Sequence, residues 1–166
     1  EKPAPVAEPP KKKLWNKVKF IIPFPNVPYY EWQVLVQINN LAKFGYDIDA
    51  HYLVCTLANN PGERLLKMAS SPKVNATFHF YKDERDDEGM RYAASMKPWL
   101  MYKYFEQHPW EKDVAYASLD PDVIFLEKFD FEPYLYDNVW YGSDVRSYIN
   151  SSYIQSKGEG LFEEMC

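Results

Sequence analysis

Short apolar runs alternate with amphipathic stretches over the first half of the chain, and turn residues separate them. The apolar runs predict β-strands over residues 18–24, 48–57 and 77–81, with Pro23 and Pro25 expected to stop the first strand. Apolar positions recur at helical spacing over residues 29–44 and predict a helix there. A shorter helix is predicted over residues 63–70, where Ser71 and Pro72 end it.

The polar positions of the first helix also matter. Glu31, Gln33, Gln37 and Lys43 fall on the side away from the apolar stripe, so they are expected to face solvent. Gly45 fits the position just past the end of that helix.

The order strand, helix, strand, helix, strand predicts an α/β fold with a mostly parallel sheet and helices on both faces. A further helix is predicted over residues 97–105, and short strands over 114–117 and 123–126. Ligands of such sheets bind beyond the carboxyl ends of the strands. The loops after Ile22, Tyr81 and Leu119 are therefore expected to share one rim.

Both ends of the chain differ from this pattern. Four prolines and three lysines among residues 1–13 predict a disordered tether over residues 1–14, which leaves 15–166 as the folded domain. The sequence stops inside a predicted helix that begins near residue 161. We therefore expect the domain to be incomplete at its C-terminus.

Composition narrows the class of protein. With 46% hydrophobic and 17% aromatic residues, the 166-residue chain can bury a sizeable core, and its net charge of −5 gives no general attraction to nucleic acid. No run of 18 apolar residues predicts a membrane span, and no signal-peptide pattern is visible. Cys55 and Cys166 do not make a disulfide framework, which favours a cytoplasmic location. The alternative is the Golgi lumen, if an upstream anchor has been removed.

An acidic turn, residues 118–125, lies between the apolar runs 114–117 and 123–126. Pro121 breaks the sheet ladder, so Asp120 and Asp122 are expected in an exposed turn at a strand end. Two carboxylates 4 Å apart repel by roughly 4 kcal/mol at an effective dielectric constant of 20, and a divalent cation reverses that cost. Mg²⁺ or Mn²⁺ suits such hard oxygen ligands. The alternative is an ordinary turn in which the aspartates cap their own backbone.

Lys97 precedes Pro98 at the predicted start of a helix. Such a helix end already favours anions, so a lysine there suggests a bound phosphate, although an exposed lysine explains it equally well. Arg91 is placed to reach the same anion or to pair with the charge run 83–88, which itself predicts a solvated loop.

Several of these motifs, in this order, resemble those of GT-A glycosyltransferases over roughly residues 17–145, above all hydroxyproline O-arabinosyltransferases and viral or phage glycosyltransferases. They are residues 30–33, the pair Arg91-Tyr92 followed by 97–99, and the acidic turn. The resemblance implies a GT-A, Rossmann-like fold and a nucleotide-sugar donor such as a UDP-sugar. It also implies Mn²⁺ or Mg²⁺ held by Asp120 and Asp122.

The resemblance implies that the loop from Pro23 to Asn26 holds the donor's base and that Asp120 binds the metal or the donor. Together with Tyr81 at the rim of the sheet and the basic Arg91 and Lys97, these residues are the predicted donor contacts. Asp144 follows a predicted strand on the presumed acceptor side and is a candidate general base, with an ordinary turn aspartate as the favoured alternative. The expected activity is transfer of a sugar to a hydroxyl group on protein, glycan or a modified DNA base. The alternative is a non-catalytic α/β binding or virion-associated module. A nucleotidyltransferase is less favoured, because neither common glycine-rich phosphate loop is present.

One departure from that family concerns histidine. Many GT-A enzymes take a further metal ligand from a histidine near the C-terminus, whereas His51, His79 and His108 all precede the acidic turn. His79, in an alternating strand, is expected to be structural.

Overall fold

The structure, a computed structural model, describes residues 12–57, 62–85 and 95–136. Its strands and helices are β1 (Lys17–Pro25), α1 (Pro28–Phe44), β2 (Ala50–Thr56), α2 (Glu63–Ala69), β3 (Thr77–Lys82), α3 (Met96–Gln107) and β4 (Val114–Ser118). Single 3-10 turns occupy Asp47–Asp49 and Glu132–Leu135. The four strands form one parallel sheet in the order β3-β2-β1-β4, which confirms the predicted α/β class.

Helices lie against both faces of the sheet, as predicted, because its strands alternate their side chains between two cores. On the face covered by α1 and α2, the buried side chains are Phe20, Ile22, Phe24, Val34, Ile38, Leu41, Ala50, Tyr52, Val54, Leu65 and Ala76. On the face covered by α3, they are Ile21, Leu53, Cys55, Tyr81, Met96, Trp99, Leu100 and Tyr104. None of the helices in the described ranges is long and apolar enough to cross a membrane.

Helix α1 begins and ends where its sequence allows. Pro28 is its first residue, where the missing N–H has no acceptor within the helix. Gly45 ends it at φ 76°, a left-handed conformation that glycine adopts without steric cost. The backbone N–H of Gly45 donates to the carbonyl of Ala42, which is one of the helix's last free acceptors.

Strand β1 runs through Pro23 to Pro25, so the prediction that these prolines stop it was wrong. The ladder between β1 and β4 ends at Ile21, whereas the ladder to β2 continues to Pro25. The N–H of Asn26 donates to Cys55 on β2, and alternate residues of a strand point their N–H groups to opposite sides. Pro23 and Pro25 therefore face the side where β4 has already ended, and no donor is needed there.

The predicted strand over residues 123–126 is absent, because this segment leaves the sheet and crosses the α1 face. Phe125 and Phe131 pack edge-on against Phe20 of β1, with ring centroids 6.2 and 5.5 Å away. Tyr46 packs among all three rings, and its hydroxyl donates to the carbonyl of Phe129. Aromatic packing therefore replaces a sheet ladder in this part of the chain.

The start of the folded part lies earlier than residue 15. The backbone N–H of Leu14 donates to the carbonyl of Leu135 at 2.8 Å, and Lys13 pairs with Glu132 at 2.8 Å. Lys13 and Leu14 fall within the predicted tether, but these contacts attach them to the 3-10 turn after the acidic turn.

The three histidines lie together beneath the C-terminal end of α3. Nδ1 of His51 and Nε2 of His79 are 3.1 Å apart, and the Tyr104 hydroxyl is 3.4 Å from Nδ1 of His51. The ring of His108 contacts that of His79, with centroids 4.8 Å apart. Desolvation by burial lowers the pKa of both His51 and His79 to about 4. Lys19 and His108 lower the pKa of His51 further, and His51 and His108 do the same for His79. Asp49 and Glu111 oppose the shift at His51.

We expect this cluster to make the protein less stable as the pH falls from about 6.5 towards 4. Both imidazoles are neutral in the folded state but become protonated near pH 6.5 when unfolded, so the unfolded state binds more protons in this window. Because both rings are only half-buried, solvent screening reduces the effect to about 1–3 kcal/mol.

The urea midpoint at pH 7 and pH 5 measures this loss, because carboxylates whose pKa the fold lowers lose their stabilising contribution mainly below their unfolded-state pKa, about 4. His79→Gln should show a shallower fall. An equal fall in both proteins would contradict the role of the cluster.

Candidate functional site

The acidic turn lies where the order of the sheet reverses. β2 and β3 extend the sheet to one side of β1, whereas β4 lies on the other side. In open parallel sheets this switch point opens a crevice at the carboxyl ends of the strands. The N–H of Leu119 donates to the carbonyl of Ile21 at 3.0 Å, and that of Val123 donates to Asp120 at 3.1 Å, closing a turn directly beyond β4. The predicted position of the acidic turn is therefore confirmed.

Gln37 of α1 fixes the backbone of the acidic turn. Its Nε2 donates to the carbonyls of Asp120 at 2.7 Å and Val123 at 2.9 Å, while its Oε1 accepts a hydrogen bond from the Tyr52 hydroxyl at 3.1 Å. Gln37 and Tyr52 are both fully buried, so their mutual hydrogen bond forms away from competing water, whereas the two bonds to the turn are part-buried. The expectation that Gln37 faces solvent was wrong.

Asn40, one helical turn further along α1, fixes the next part of the chain. Its Nδ2 donates to the carbonyl of Phe125, and its Oδ1 accepts from the N–H of Phe125, both at 2.8 Å. The side chain thus satisfies both backbone groups of Phe125, as a neighbouring strand would. This is why residues 123–126 need no ladder.

Lys97, in the first turn of α3, contacts the acidic turn from the other face of the sheet. Its Nζ lies 2.5 Å from Oδ1 of Asp120, and the two side chains are 44% and 53% exposed. Asp122 is exposed as well. Both faces of the sheet therefore contribute to one site: α1 holds the backbone of the turn, and α3 supplies a positive charge beside its carboxylate.

The donor set of the acidic turn bears on how it could hold a cation. Nowhere in the described ranges do three or more histidine, cysteine or carboxylate side chains converge as a metal cage. Asp120 and Asp122 offer two hard carboxylates on one turn. Mg²⁺ is commonly held by one or two carboxylates, with water and substrate phosphates completing its shell. The donor set is thus suited to a cation that arrives with a phosphate ligand.

The other predicted donor contacts are more scattered. Asn26 directly follows the last residue of β1. Its Oδ1 accepts a hydrogen bond from the N–H of Gly62, 3.4 Å away at the start of α2. Pro23 and Tyr81 are buried, and the Tyr81 hydroxyl finds no hydrogen-bond partner within the described part of the chain. Burial raises the pKa of Tyr81. Arg91 and Asp144 lie outside the described residues.

A basic group at the end of β3 was missed. The Arg85 guanidinium donates to both carboxylate oxygens of Asp83 at 2.8 Å, and the Arg85 side chain is only 11% exposed. Hydrogen bonds from Arg85 hold the pKa of Asp83 below its usual range. The prediction of a solvated loop is thus wrong for these residues. The signal available in the sequence was Asp-x-Arg placed directly after a strand.

The start of α1 carries one more buried acid, away from the acidic turn. Glu31 is 8% exposed and lies 3.7 Å from Arg64 of α2. A Cβ added at Gly62 would lie 3.0 Å from Oε1 of Glu31, so the backbone approaches this carboxylate closely. Pro28, Glu63 and Lys67 complete a shallow depression here. Its exposed ion pairs are those of an ordinary protein surface.

Comparison with protein-family models, with curated proteins and with solved structures gives no match for this chain.

Proposed function

We propose that the protein is a metal-dependent glycosyltransferase that uses a nucleotide-sugar donor, with a UDP-sugar as the expected class. The observation that carries the proposal is the Asp120-Pro121-Asp122 turn beyond β4, at the switch point of a parallel sheet, with Lys97 Nζ 2.5 Å from Asp120. Carboxylates for a cation and an ammonium group for an anion lie side by side there. A diphosphate with its divalent cation presents the complementary charges.

Each group has a role in departure of the nucleoside diphosphate. A bound Mn²⁺ or Mg²⁺ supplies Lewis-acid stabilisation of the diphosphate's negative charge. Asp120 and Asp122 would hold it, and Lys97 adds a second positive charge on the other side of the turn. Gln37 keeps the turn in place before ligands arrive, so little reorganisation is needed. Asn26, at the end of β1, lies at the same edge of the sheet and is assigned to the donor's base.

The acceptor is a hydroxyl group on protein, glycan or a modified DNA base, and Asp144 remains the candidate that removes its proton. Because Asp144 lies outside the described residues, its role rests on the sequence alone.

Isothermal titration with a panel of nucleotide sugars, with and without Mn²⁺, tests the proposal. We expect a UDP-sugar to bind at least tenfold more tightly in the presence of Mn²⁺, because the cation links the phosphates to the acidic turn. The full chain should also hydrolyse the bound donor slowly. Absence of binding across the panel would contradict the proposal, and metal-dependent binding without hydrolysis or transfer would favour the non-catalytic module.

A further inference from the structure

The ammonium group of Lys97 forms an ion pair with Asp120, a carboxylate that the proposed function assigns to a metal ion. Nζ of Lys97 lies 2.5 Å from Oδ1 of Asp120, although the side chains are 44% and 53% exposed. An exposed pair of this kind is weak, and packing does not hold it together. The backbone of Asp120 is held separately by the Gln37 amide, at 2.7 Å. The two side chains can therefore part without moving the turn.

We propose that this ion pair is an internal counterion that makes the binding of the divalent cation and of the diphosphate mutually dependent. The inference rests on the proposed function for the identity of both ligands. A cation arriving alone meets the ammonium group of Lys97 and must compete with it for Asp120. A diphosphate arriving alone meets the carboxylates of Asp120 and Asp122.

The conflict disappears when both ligands are present. Lys97 then exchanges Asp120 for a phosphate oxygen, and Asp120 becomes available to the cation. Each charge gains a partner of opposite sign in one step. By thermodynamic linkage, the factor by which the diphosphate raises cation affinity equals the factor by which the cation raises diphosphate affinity. The pair thus disfavours a cation bound without donor.

Removal of the Lys97 charge separates the two binding events. We expect Lys97→Met to bind Mn²⁺ alone about fivefold to twentyfold more tightly than the wild type at low ionic strength, because a unit charge no longer repels the cation at short range. The enhancement of Mn²⁺ affinity by UDP should shrink by about tenfold. Loss of the free Mn²⁺ signal in electron paramagnetic resonance measures both affinities, after correction for Mn²⁺–UDP complexes in solution.

Lys67→Met is the matched control, because Lys67 also forms an exposed ion pair, 2.7 Å from Glu63 on α2. It should bind Mn²⁺ and UDP as the wild type does. If Lys97→Met binds Mn²⁺ alone no more tightly than the wild type, or keeps the full UDP enhancement, the counterion is overturned while the proposed function stands. If UDP fails to raise Mn²⁺ affinity in the wild type, the proposed function fails and the coupling with it.

Discussion

Gln37→Leu is expected to lower the free energy of unfolding by about 2–4 kcal/mol, because it removes one buried and two part-buried hydrogen bonds. The Tyr52 hydroxyl and the carbonyls of Asp120 and Val123 lose their partner, while leucine fills a similar volume. Most of the cost is that of leaving the buried Tyr52 hydroxyl and the two partly buried carbonyls unsatisfied. Urea denaturation at pH 7 measures it, and the Mn²⁺-dependent binding of a UDP-sugar should weaken as the turn loses its anchor.

Gln33→Leu is the matched control for this prediction. Gln33 lies one helical turn earlier on α1 and is 5% exposed, but its Oε1 has no hydrogen-bond partner among the described residues. Its replacement should change stability by less than about 1 kcal/mol, or even stabilise the protein. Adding Tyr52→Phe to Gln37→Leu should recover about 1 kcal/mol, since the orphaned hydroxyl is removed. Equal losses from the two glutamine variants would contradict the network.

Asp122→Asn is expected to reduce metal-dependent turnover of the donor by roughly a hundredfold or more, because the neutral amide is a poor ligand for a hard cation. The side chain is exposed, so its thermal unfolding temperature should stay close to that of the wild type. Rates of UDP-sugar hydrolysis, measured over a range of Mn²⁺ concentrations, show whether the loss lies in cation binding.

Asp113→Asn provides the comparison, since Asp113 is also exposed but precedes β4, at the opposite end of the strand. This variant removes the same charge far from the acidic turn and should keep wild-type turnover. Similar losses in both variants would point to net charge, and would count against a cation on Asp122.

Local patterns predicted most of the fold. The apolar runs that predict strands alternate along the chain with stretches in which apolar residues recur at helical spacing. Strands joined by such helices pair in parallel, so the parallel arrangement of β1, β2 and β3 follows from this order. The acidic turn was also predictable, because Pro121 ends a ladder directly after an apolar run. Because β4 lies parallel to and beside β1, these residues lie at the same edge of the sheet as the end of β1, as expected for a doubly wound sheet.

The errors came from polar side chains that satisfy backbone groups distant in sequence. Gln37 lies 83 residues from Asp120, and Asn40 lies 85 residues from Phe125. Helical periodicity assigns a polar residue to the solvent side, and it carries no information about a loop that later covers that side. Residues 123–126 belong to this loop and therefore lie outside the sheet. Arg85 was wrongly predicted to be solvated, because a run of charged residues does not indicate which of them pair with one another. Arg85 pairs with both carboxylate oxygens of Asp83, two residues earlier.

The most direct test of a cation at the acidic turn is paramagnetic line broadening by Mn²⁺ in NMR spectra of the isotope-labelled protein, with and without UDP. We predict that sub-stoichiometric Mn²⁺ with UDP broadens the amide signals of Leu119, Asp120, Asp122, Val123 and Lys97 first, and that Mn²⁺ alone does so more weakly. Broadening centred on His51 and His79 at the opposite end of the strands, or a pattern indifferent to UDP, would contradict the account.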